Sequence, residues 1–240
     1  MGIIGNKIIG NKVNRIPRMI PVIDPYANNV ILFLKGEGAN ESTNIIDSSP
    51  FSQVISVFGT AKISTVQSKY NGSSIYFDGT SNCYIGTPSN SLYTLSTSDF
   101  TLEMWVYPFA ANPNGILGWN NSASLGDMGS LNPVYATFAS TFSWWRNDGG
   151  VNNLQNLITN IWQHHALVRD KNNYRWYLNG NLVISFTSSG TLTGSRIVIG
   201  SNGVYSSYLA FAQFYLSHLR LTKAVRYSAN FNPENTYLNI

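Results

Sequence analysis

From Tyr26 onward, short runs of β-branched and aromatic residues alternate with turn chemistry, and this rhythm constrains the fold more than any other feature of the chain. Its sharpest instance is Asn179-Gly180, which separates the runs around Tyr174–Leu178 and Leu182–Thr187. A two-residue type I′ hairpin turn needs positive φ at both central positions, and Asn-Gly meets that need at least cost. Asn71-Gly72 and Asp78-Gly79 mark further tight turns. Strands are expected over 29–35, 74–77, 83–86, 100–107, 137–146, 162–169, 174–178, 182–187, 196–200 and 212–222, while helical periodicity is nearly absent. Short strands joined by turns build an antiparallel sandwich or barrel rather than a parallel α/β sheet. At 240 residues, one such domain accounts for the chain.

Alternation within the strands assigns their faces. In FTLEMWVYP, Phe100, Leu102, Met104 and Val106 share one face, and Thr101, Glu103, Trp105 and Tyr107 the other. A two-layer sandwich takes one set into its core. Trp162, His164, Ala166 and Val168 alternate in the same way with Gln163, His165, Leu167 and Arg169. The adjacent His164 and His165 therefore point to opposite faces and cannot share a metal ion; one is expected packed and the other at the surface.

Charge divides the chain at its start. Of the 15 basic residues, Lys7, Lys12, Arg15 and Arg18 precede the first acid, Asp24, so the remaining 11 balance the 11 acids. A neutral body gives no case for nucleic-acid binding across a broad face. Residues 1–25 carry a tandem IIGNK repeat at 3–7 and 8–12, and prolines at 17, 21 and 25 favour extended backbone over helix. This segment reads as a basic docking arm ahead of a domain at 26–240, either strapped to a partner by strand addition or packed along its own domain. The first residues lack the apolar run of a secretory leader, and no stretch reaches the roughly 20 apolar residues of a membrane span. Cys83 is the single cysteine, so neither an intrachain disulfide nor a cysteine-based zinc site is expected.

Several fragments in order resemble the laminin-G-like branch of the concanavalin A-like lectin/glucanase superfamily. They are ILFLKGEG at 31–38, IDSSP at 46–50, SIYFDGTSNCYI at 74–85, DFTLEMWVYP at 99–108, WQHHALVRD at 162–170, RWYLNGNLV at 175–183, RIVIGS at 196–201 and LSHLRLTKAVRY at 216–227. The closing run is similar to variants found in bacteriophage tail-fibre, baseplate and head-decoration proteins. The resemblance implies an all-β, two-sheet antiparallel jelly-roll sandwich. It also implies a non-enzymatic virion protein, made in the host cytoplasm, that meets other virion proteins through Lys7, Lys12, Arg15 and Arg18. Host-surface polysaccharide is the second expected partner, and a homo-oligomer, such as a trimer, the expected assembly. A free-standing lectin and a glycan hydrolase are the alternatives.

Hydrolysis by this superfamily uses paired acids on one strand, whereas Glu103 is the sole acid on its strand, with Thr101, Trp105 and Tyr107 beside it. Glycan binding needs aromatic faces for C–H stacking with amide or carboxylate oxygens nearby. Two segments, 115–129 and 144–153, offer that mixture through Trp119, Trp144, Trp145, Arg146, Asn147 and Asp148, and a third aromatic run lies at 204–211. No cofactor is expected. A calcium ion is the alternative, held by Asp47 and Asp78 in their turn-like contexts, although Lys35 and Ser217 stand where members of the family often carry acids.

Overall fold

A computed structural model describes residues 24–109, 115–120, 134–139, 141–145, 151–156, 158–201 and 211–235. Among them the strands are β1 (Val30–Leu34), β2 (Ser56–Phe58), β3 (Lys62–Ser64), β4 (Ser74–Asp78), β5 (Tyr84–Gly86), β6 (Phe100–Pro108), β7 (Leu117–Asn120), β8 (Val134–Ala139), β9 (Thr141–Trp145), β10 (Val151–Asn156), β11 (Gln163–Asp170), β12 (Asn173–Leu178), β13 (Asn181–Thr187), β14 (Arg196–Ile199) and β15 (Gln213–Thr222). Helix is confined to single 3-10 turns, and no helix among the described residues is long and apolar enough to cross a membrane.

Two antiparallel sheets form the sandwich. The eight-stranded sheet runs β13-β12-β11-β6-β15-β4-β3, and β1 pairs with β15 beyond the end of β4. The seven-stranded sheet runs β10-β9-β8-β7-β14-β5-β2. Between them lies one apolar core, in which Phe100, Leu102, Met104 and Val106 of β6 share a cluster with Leu117 and Trp119 of β7 and Ile197 and Ile199 of β14. The alternation in β6 thus sends inward the set that its pattern predicts.

Turn chemistry holds at the expected places. Asn179 and Gly180 take φ of 49° and 78°, and Asn71 and Gly72 take 57° and 81°, both pairs in the left-handed region. Elsewhere the sequence reading needs correction. The single strand expected over 137–146 is a hairpin of β8 and β9, with Ala139 paired to Thr141. No Gly, Pro or Asn punctuates AST at that point. Leu117–Asn120 and the first half of Val151–Asn156 fall in 115–129 and 144–153, which read as loops, yet both are strands within the seven-stranded sheet.

Both histidines of the pair are buried, contrary to the expectation of one at the surface. His165 faces the core side, edge-on to Trp176 at 5.7 Å, and burial, aided by neighbouring His164, lowers its pKa to about 3. Burial also lowers His164, and it brings His218 down to about 4 with help from Lys35. All three histidines of the chain are therefore neutral in the fold at pH 7. Unfolded, each binds a proton near pH 6.5, so the stability from keeping them neutral is full above that pH and is lost as pH falls below it. Urea midpoints are expected to drop between pH 6.5 and 4. His165→Asn should flatten that slope by about 1.4 kcal/mol per pH unit. A midpoint unchanged over this window would contradict the assignment.

Candidate binding face of the eight-stranded sheet

On the face of this sheet turned away from the core, Thr101, Glu103 and Trp105 are as buried as the core set. Residues 223–234 run back across the sheet as a strap over Thr101 and Glu103, while Lys69 and Tyr70 lie against Trp105. The Thr101 hydroxyl donates to the Ala224 carbonyl and accepts from the Arg226 amide. Tyr227 then packs with Ala166, Val168 and Tyr177 and stacks on Phe231, ring centroids 3.6 Å apart. Phe231 donates its amide to the Gly180 carbonyl at 3.0 Å, and a Cβ on Gly180 would collide with the Phe231 carbonyl. The Asn-Gly turn is thus both a hairpin and a seat for this strap, and glycine is required twice over.

Beneath the strap lies a charge-balanced network. Arg220 on β15 bonds Glu103 at 3.1 Å and also bonds Asp24, while Arg226 bonds Glu103 and lies 3.7 Å from Asp24. The Tyr227 hydroxyl donates to the second Glu103 oxygen at 2.6 Å, and His164 Nε2 stands 3.5 Å from it. Two carboxylates face two guanidinium groups, with Asp24, Glu103 and Arg220 all sealed from water. Burial pushes the Glu103 carboxyl up, but Arg226, His164 and Tyr227 outweigh it and leave the pKa below the ordinary carboxylate range. Asp24, which the sequence reading places with the arm, is anchored in the body by these bonds.

Farther along the same face, Lys69 and Tyr70 grip the Glu234 carboxylate. Lys69 Nζ donates to Oε1 at 2.5 Å and the Tyr70 hydroxyl to Oε2 at 2.7 Å. The ammonium sits 3.8 Å above the Trp105 ring, within cation–π range. Beyond Trp105, the outward residues of three adjacent strands form an aromatic cluster. Tyr107 lies 5.6 Å from Trp162 and 6.0 Å from Tyr215; Tyr76 lies 4.8 Å from Tyr215; Phe109 lies 5.1 Å from Tyr215. Tyr215 is buried, while Tyr76, Tyr107, Phe109 and Trp162 are half-buried. Gln213 donates to the Tyr76 hydroxyl at 3.1 Å, placing an amide at the edge of the cluster.

The residues expected at a site fare differently. Trp119 is a core residue: it is 2% exposed, its indole nitrogen donates to the carbonyls of Tyr93 and Gly194, and it cannot serve as a sugar platform. Trp144 and Trp145 end β9, and nothing further of them lies within the description. Arg146, Asn147 and Asp148, the run 204–210, and Lys7, Lys12, Arg15 and Arg18 lie outside the described residues. Asp47 serves its own loop. Its two carboxylate oxygens take four donors, the amides of Phe33, Ser49 and Gln53 and the Ser49 hydroxyl, which fasten the 46–53 loop to β1. Asp78 serves its turn in the same way. Burial pushes its pKa up, but hydrogen bonds from Thr60 and Thr80 outweigh it and bring the pKa to about 2. Among the described residues no group of three or more His, Cys, Asp or Glu side chains could hold a metal ion.

The aromatic cluster was missed because its members come from distant segments. Its signal was nevertheless present: Tyr107 shares the parity of Glu103 on β6, and Trp162 that of His164.

Comparison with known folds agrees with this architecture. The binding domain of Paraclostridial Mosquitocidal Protein 1 superposes with a TM-score of 0.60 at 16% identity, over 83% of this chain and 50% of that one. The receptor binding domain of botulinum neurotoxin D gives 0.60 at 12% identity, over the same 83% and 50%. This chain thus spans about half the length of these toxin domains. Domain 4 of AbnA, a GH43 extracellular arabinanase from Geobacillus stearothermophilus solved in complex with arabinotriose, gives 0.56 at 15% identity, over 82% of this chain and 93% of that one. A comparison with curated proteins finds no match. Residues 77–229 match the sequence profile of a laminin G-type family, and the chain belongs to the concanavalin A-like lectin/glucanases superfamily.

Proposed function

We propose that this domain is a non-enzymatic glycan-binding module whose contact surface is the aromatic cluster of the eight-stranded sheet. The observation that carries the reading is the set of half-exposed rings of Tyr76, Tyr107, Phe109 and Trp162, gathered around Tyr215 with the Gln213 amide at their edge. Aromatic faces offer the C–H faces of sugar rings a large, rigid contact at low entropic cost, and a few polar groups then fix orientation. The fold shared with an arabinanase domain solved with arabinotriose, and with toxin binding domains, supports a binding role. Glu103, the carboxylate that a hydrolase reading would use, is fully buried and bonded through both oxygens, so it has no path to a glycosidic oxygen.

The finer reading is display on a bacteriophage particle. It rests on the likeness of residues 216–227 to virion proteins, with the basic segment that holds Lys7, Lys12, Arg15 and Arg18 as the attachment and host-surface polysaccharide as the ligand.

The binding reading is tested by affinity electrophoresis in gels containing arabinan, dextran or polygalacturonate. At least one polymer should retard the protein, and Tyr107→Ala and Trp162→Ala should each weaken retardation about five- to tenfold, as expected for losing about 1–1.5 kcal/mol of ring contact. Retardation that survives both substitutions would place binding elsewhere. Particle display is tested by gold labelling of purified phage with antibody to residues 24–240. Label on head or tail supports it, and unlabelled particles would leave a free lectin.

A further inference from the structure

The Lys69–Tyr70 grip on Glu234 has a shape that the strap alone does not require. The strap is already fixed by Arg226, Tyr227 and Phe231, all upstream of Glu234. At Glu234 two donors from one loop each take one oxygen of a carboxylate, and the Trp105 ring backs the ammonium. The donors are well set: the Lys69 side chain is only 17% exposed, whereas the side chain of the Glu234 that they hold is 49% exposed. A carboxylate on a half-exposed side chain, held by two donors of one loop, is a replaceable occupant.

The location adds the second half of the argument. Trp105 and Tyr107 are two residues apart on the outward side of β6, so the clamp and the aromatic cluster are about 7 Å apart along one strand. They are also matched across the sheet, with Ser217 opposite Trp105 and Tyr215 opposite Tyr107. That separation is about one sugar residue. We propose that the clamp is a subsite for a carboxylated saccharide, a uronate or a sialate, whose carboxylate displaces that of Glu234 while the adjoining sugar stacks on the cluster. Glu234 then acts as a built-in competitor that keeps Lys69 paired in the free protein. The inference rests on the aromatic cluster being a sugar platform and adds the chemical class of its ligand.

An exposed ion pair is weak, about 0.2–1 kcal/mol, so displacing Glu234 costs little and removing it raises affinity only modestly. The test titrates the full chain calorimetrically with two matched pairs, trigalacturonate against galactotriose and sialyllactose against lactose. The acidic member of one pair should bind about tenfold more tightly than its neutral partner, and the pair that shows this distinguishes uronate from sialate. Glu234→Gln should tighten the acidic ligand about two- to fivefold without changing the neutral one. Lys69→Gln should erase the acid preference and keep neutral binding. If neutral binding persists, is lost in Tyr107→Ala and shows no acid preference in any form, the clamp is wrong and the platform stands. If neither pair binds the wild type or Glu234→Gln, the platform falls as well. Competition by a glutamate-rich peptide as effective as the acidic sugar would reassign the clamp to acidic peptides.

Discussion

The structure depends on the burial of Glu103. A carboxylate in the middle strand of a sheet, removed from water, is strongly unfavourable unless its charge is met on all sides. Here Arg220 comes from the neighbouring strand, and Arg226 and Tyr227 arrive on the strap, while Asp24 balances the second guanidinium. The network is specific in a way that apolar packing is not. It fixes where the strap crosses, because Arg226 must reach Glu103 and Asp24 together. It also ties the first described residue to β15, a partner 196 positions away in the chain. Removing one member would leave the others buried without compensation, which costs about 3–5 kcal/mol in comparable pairs.

That constraint divides the outward face of the sheet in two. Under the strap, Glu103, His164 and Ala166 are closed to any ligand. Farther along the face, Tyr76, Tyr107, Phe109 and Trp162 are half-buried. The clamp at Lys69 and Tyr70 marks the border between the halves.

What could be read from the sequence follows from the range of each interaction. The hairpin at Asn179-Gly180 and the inward set Phe100, Leu102, Met104 and Val106 are local patterns, and they appear where expected. The burial of Thr101, Glu103 and Trp105 was hidden, because period-two alternation distinguishes two faces but not whether a distant strap covers one of them. Asp47 reads as a metal ligand because Asp in a turn serves ions and amides alike, and no local pattern shows that the fold brings the Phe33 and Gln53 amides to its carboxylate. Trp119 reads as a sugar platform because 115–129 mixes an aromatic face with amide and carboxylate oxygens, whereas β7 carries it between the sheets, where it donates to the Tyr93 and Gly194 carbonyls. The aromatic cluster needed the order β6-β15-β4, which no local pattern encodes.

The central claim, that sugar binds the outward aromatic cluster, is tested most directly by the indole N–H signals of the six tryptophans in a ¹⁵N-labelled sample titrated with trigalacturonate. The account predicts that the Trp162 signal moves with saturation while those of Trp119 and Trp176, which belong to the core, stay in place. A Trp162 signal that stays fixed with trigalacturonate and with sialyllactose, whether or not Trp144 or Trp145 responds, would contradict it.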